Sequence, residues 1–84
     1  MKYSLFIERY ALKQIMKLDK SIIPILKNAI SKLSDNPRPS GYIKLKGEEA
    51  YRIRVRDFRI IYEIDDRNKT VTIVAIGHRK NIYK

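Results

Sequence analysis

Arg52, Arg54 and Arg56 alternate with Tyr51, Ile53 and Val55, and Arg59 follows just past Asp57. In an extended chain this spacing sends the apolar trio to one face and the three guanidinium groups to the other. A guanidinium grips a phosphate through two parallel hydrogen bonds and keeps its charge at any working pH. A row of them therefore suits the binding of a phosphodiester and the stabilisation of charge developing on it. Lys44 and Lys46, just upstream, suit the steering of a polyanion toward that row. His78 is the one imidazole in the chain, the side-chain type that most readily exchanges a proton near neutrality. Taken singly, each feature has a plainer reading: strand arginines commonly form a solvated sheet face, and a lone histidine commonly sits on a surface loop.

The composition narrows the classes. The chain has 84 residues, 44% of them hydrophobic and 33% charged, with 19 Lys and Arg against 9 Asp and Glu, a formal net charge of +10. The length fits one domain, residues 1–84, with a single core. The excess of positive charge favours a polyanionic partner, nucleic acid first and an acidic protein second. Residues 1–40 hold 8 Lys and Arg against 3 acids and residues 41–84 hold 11 against 6, so neither half is a basic tail and folding must build any patch. There is no cysteine, which excludes disulfides, thiolate metal sites and a thiol nucleophile. No metal or other cofactor is expected. Charges at Lys2, Glu8 and Arg9 argue against a secretion signal, and no apolar run approaches the ~18 residues of a membrane span, so the expected location is the cytoplasm.

The elements that must hold these side chains can be read from periodicity. Tyr3, Leu5 and Ile7 alternate as a strand. Ala11, Leu12, Ile15, Met16 and Leu18 make a helical stripe over Arg9 to Leu18. Ser21 is placed to cap a second helix, with Pro24 in its first turn and Ile22, Ile23, Leu26, Ala29, Ile30 and Leu33 on its apolar side. Asn36 to Gly41 stops that helix, and Arg38 within it carries no assigned site. A strand through Ile43 and Leu45, another over Tyr51 to Arg56, and a third over Phe58 to Ile64 follow. The turn Asp65 to Lys69 leads into a strand, Val71 to Ile76, apolar on both faces and so expected to be central or covered. The expected fold is α+β: an N-terminal strand, a two-helix antiparallel hairpin, then an antiparallel meander, with the helices packed on one face. The other face stays open and carries Arg52, Arg54, Arg56 and Arg59. Ile61, Val74 and Ile76 are expected to add apolar area beside them, where a partner could dock.

Asn36 to Pro39, Lys44 to Gly47, Tyr51 to Val55, Arg59 to Glu63, and Gly77, His78 and Arg79 with Tyr83 together resemble the RelE/ParE toxin superfamily. The resemblance covers nearly the whole chain in order. It implies the toxin of a type II toxin–antitoxin pair, of the RelE branch: a small ribonuclease that enters the ribosomal A site and cuts mRNA, inhibiting translation. It also implies a small acidic, RelB-like antitoxin, and operator DNA as a partner reached through the antitoxin complex. The working residues of the family fall here on Arg52, Arg54, Arg59, Arg79 and Tyr83, with Lys80, Arg56, Lys44 and Lys46 as contacts to RNA or ribosome.

Cleavage of RNA by its own 2′-hydroxyl requires a proton acceptor, charge stabilisation at phosphorus and a proton for the leaving 5′-oxygen. The arginines meet the second requirement, and Tyr83 could stack on a base or bond the ribose. The sequence departs from the best-known pattern in carrying Arg52 and Arg54 where lysines stand. Arginine is a poor base, so the acceptor stays open among His78, Lys46, Glu48 and Glu49. Two other readings stay open as well: a ParE-like protein that poisons DNA gyrase without cutting RNA, and a decayed toxin that binds its antitoxin but cleaves nothing.

Overall fold

A computed structural model describes residues 2–47 and 49–78. The chain runs β1 (Ser4–Ile7), α1 (Arg9–Met16), α2 (Ile23–Asp35), β2 (Ile43–Lys44), β3 (Tyr51–Val55), β4 (Phe58–Asp65) and β5 (Thr70–His78). The sheet order is β1-β5-β4-β3-β2. β2 to β5 form the antiparallel meander expected from the sequence. β1 joins parallel to β5, pairing Ser4 with Thr70 and Ile7 with Ile73, so the sheet is mixed. The helix pair supplies the long connection that a parallel neighbour requires somewhere between the two strands.

The periodicity explains the packing. Ala11 and Ile15 of α1 and Leu26, Ile30 and Leu33 of α2 bury against Ile53, Ile60, Tyr62, Val71, Ile73 and Ile76 of the sheet. As expected, β5 is interior, with neighbours on both sides. Its edge beyond β1 is covered by α1, where the Gln14 side-chain carbonyl accepts the Ile76 N–H at 2.7 Å.

Four local expectations need correction. Ser21 does not cap α2: its N–H and hydroxyl both donate to Asp19 Oδ1, at 3.0 and 3.1 Å, and the capping position is Ile22, with no side-chain cap. Asp19 folds the turn on itself, which leaves the start of the helix to Pro24 and to burial. Arg56 is not on a strand face. It is the first residue of the turn between Val55 and Phe58, at φ 59°. Ile76 is not on the open face but fully buried. The register shifts between Ile61 and Tyr62, whose partners are Ala75 and Ile73, so Val74 is an extra residue that flips the alternation of β5. β5 also runs past its expected end at Ile76, continuing through Gly77 and His78.

Candidate nucleic-acid interface

Register alone assembles the open face. Arg54 pairs with Arg59, and Arg59 with Gly77, making one row across the strands. The next row is Ile43, Arg52, Ile61 and Ala75. A third holds Glu63, Thr72 and, across the parallel pairing, Phe6. The face is thus banded, cationic toward the β3–β4 turn and acidic toward the β4–β5 turn. At that acidic end a shallow cleft is lined by Glu49, Glu63, Asp65, Thr70 and Thr72 among others.

Among the described residues nothing neutralises the cationic band. Arg54 and Arg59 face each other directly, at a separation where like charges destabilise a strand pair. Among the described residues the ion pairs are Lys2 with Asp35 and Arg38 with Asp66, so no carboxylate holds Arg52, Arg54 or Arg59. Arg54 Nε donates to the Arg56 carbonyl at 3.4 Å, steadying one guanidinium on the turn. Arg59 is half-buried, and its Nε is buried without a hydrogen-bond partner among the described residues. Such an orphaned donor costs about 1–3 kcal/mol. Unpaired charge concentrated at one spot, with a buried donor left over, is the arrangement that an anion from outside completes.

The structure separates other expected members from this band. Lys44 pairs with Tyr51 and so points to the opposite face from Arg52, while Ile43 takes the place beside the arginine. Lys46 is exposed just past β2, and Arg56 is exposed in the turn. His78 pairs with Phe58, two residues from buried Ile60, which sets it on the helix side of the sheet. Its ring meets Phe58 edge-on, centroids 5.7 Å apart. Glu49 is exposed and belongs to the acidic cleft. Arg79, Lys80, Tyr83 and Glu48 lie outside the described residues. Among the described residues no cluster of His, Cys, Asp and Glu is arranged to hold a metal ion.

Arg38, which the sequence left without a role, anchors the loop that leads into the sheet. Its Nη1 and Nη2 donate to Asp66 Oδ1 and Oδ2 at 3.2 and 2.9 Å, and the Tyr3 hydroxyl donates to the same carboxylate at 2.7 Å. The guanidinium lies 5.4 Å from the centre of the Tyr51 ring, which stacks on Tyr62 at 5.9 Å. The Tyr62 hydroxyl in turn donates to the Pro37 carbonyl at 2.7 Å. Arg38 and then Tyr3 hold the Asp66 carboxyl down at about 2. The same carboxylate pushes Arg38 and Tyr3 upward, and burial pushes Tyr62 up to about 12. The available signal was an arginine held between two prolines, a rigid frame that fixes where its side chain can reach.

With this geometry in view, comparison with known proteins places the chain. Residues 5–83 match the model of the ParE toxin of type II toxin–antitoxin systems. A protein of Escherichia coli provisionally named a RelE-like toxin is 36% identical over 84 residues, covering 95% of this chain and 86% of that protein. The mRNA interferase toxin RelE of Escherichia coli K12 is 29% identical, covering 95% of this chain and 86% of its own. Among solved structures, the archaeal RelE–RelB complex from Pyrococcus horikoshii gives a TM-score of 0.84 at 26% identity, covering 98% of this chain and all of that one.

Proposed function

The chain belongs to the ParE toxin family of type II toxin–antitoxin systems, and on that premise we propose that it is an endoribonuclease that cuts mRNA in the ribosomal A site. The observation that carries this reading is the Arg54–Arg59 pair, two guanidiniums opposed across a strand ladder with Arg52 in the next row and no acid among them. A scissile phosphate seated between them exchanges repulsion for two charge-assisted clamps.

The reaction would run through the substrate's own 2′-oxygen. That oxygen attacks phosphorus and loses its proton, the bond from phosphorus to the 5′-oxygen breaks, and the 5′-oxygen takes up a proton. A 2′,3′-cyclic phosphate and a 5′-hydroxyl result. Arg54 and Arg59 would hold the non-bridging oxygens, where negative charge grows at the five-coordinate phosphorus, and Arg52 would add to the field. Arg79 and Tyr83, carried over from the family pattern, would complete the clamp and orient the base. Among the described residues no carboxylate or imidazole lies in the two cationic rows, so positioning and charge would carry much of the rate, with the proton acceptor drawn from outside those rows.

A short acidic antitoxin, RelB-like, would silence the toxin, and apolar Ile61, in the row of Arg52, offers it footing. In complex, it would bring the pair to operator DNA. The expected place of action is the cytoplasm.

Toeprinting on translating ribosomes tests the reading. Cuts within A-site codons are expected, falling by on the order of 10²–10³ for Arg59→Ala, as for loss of one preorganised charge donor. Uncut mRNA with trapped gyrase and broken DNA would instead favour a gyrase poison.

A further inference from the structure

Gly77 has no part in the chemistry above, yet its position is unusual. It stands within β5, directly opposite Arg59. It is not among the residues at positive φ, so its backbone does not require glycine. A glycine inside a strand weakens the strand and commonly marks a place where a ligand or another backbone comes close. Its neighbour on the same face, Ala75, is the partner of Ile61. The β5 side of both cationic rows is therefore floored by the two smallest side chains, beside Arg59, whose Nε is buried without a hydrogen-bond partner among the described residues. One row further, Thr72 on the same strand and face stands beside Glu63.

Building on the ribonuclease reading, we propose that Gly77 and Ala75 are substrate-access residues, the floor of a lane along which a single RNA strand crosses the sheet. The strand passes over Arg54, Arg59 and Gly77, perpendicular to the β-strands. It comes closest to the protein at Gly77, where a side chain would lift the phosphate off Arg59. Glu63 in the third row repels phosphates and keeps the strand from turning along β4 and β5.

The test is binding of the full-length protein, freed from its antitoxin, to a fluorescent single-stranded RNA whose 2′-O-methyl riboses prevent cleavage. Gly77→Val is expected to weaken binding about tenfold or more, and Gly77→Ala and Ala75→Val by smaller factors, with Thr72→Val within about twofold of the parent. Recovery of each variant in a complex with antitoxin, with an unchanged melting temperature, shows that the fold survives. Should Gly77→Val not fold, Gly77→Ala and Ala75→Val decide. Parent-like affinity in the folded Gly77 and Ala75 variants, or no RNA binding by the parent, overturns the proposal. Gly77-dependent binding without ribosomal cuts would remove the nuclease reading and leave the lane standing.

Discussion

Protonating Asp66 would release Arg38 and Tyr3 together, because both donate to that one carboxylate. Its folded pKa of about 2 lies below the ordinary 3.8. A depressed carboxyl contributes stability in full above its unfolded value and loses it as pH falls through the folded one. The contribution should therefore vanish between about pH 4 and pH 2. We expect Asp66→Asn to melt below the parent at pH 7 and to lose less of its melting temperature across that acid window. Equal acid sensitivity in the two proteins would rule this out. Tyr62 supplies a second test at this scale. It is fully buried, and its hydroxyl serves the Pro37 carbonyl. Tyr62→Phe leaves that acceptor without its partner and should cost about 1–3 kcal/mol in urea unfolding. Neither role could be read from the linear sequence, since Arg38 and Asp66, like Tyr3 and Asp66, are joined only by the fold.

At the level of elements, α1 acts on β5 through Gln14, whose side chain takes the Ile76 N–H one residue before the floor of the cationic row. Gln14→Leu should lower stability by about 1–3 kcal/mol and speed hydrogen exchange at Ile76 more than at Val71; equal protection at the two amides would refute the pairing's importance. A sequence signal did exist here. Gln14 is the polar residue among Ala11, Ile15 and Leu18 on the stripe that faces the core. Strict alternation made Tyr51 to Val55 and the facing of Arg52, Arg54 and Arg59 legible, because a period of two leaves one choice of side. The same rule failed at Ile76, where one extra residue reverses the sides without changing composition. It failed at Arg56 because a two-residue turn can start on a non-glycine at φ 59°. For His78 and Lys44 the face depended on strand register, with Phe58 and with Tyr51, which spacing within one strand does not encode.

For the molecule as a whole, the net charge of +10 is less telling than its banding across one sheet face. RNA affinity should fall steeply with salt, and Arg54→Ala and Arg59→Ala should each flatten the log–log slope by about 0.7, the increment for one phosphate of a single strand. Glu63→Gln should leave that slope unchanged or make it steeper. An equal slope in parent and arginine variants would place the RNA elsewhere on the surface. The strand order carries one more implication. β1 and β4 meet only through β5, the last strand among the described residues, and β5 brings Val71, Ile73 and Ile76 to the core. A chain halted before Thr70 should show no cooperative melting transition. During synthesis Arg52, Arg54 and Arg59 thus leave the exit tunnel ahead of the strand that completes the surface they share.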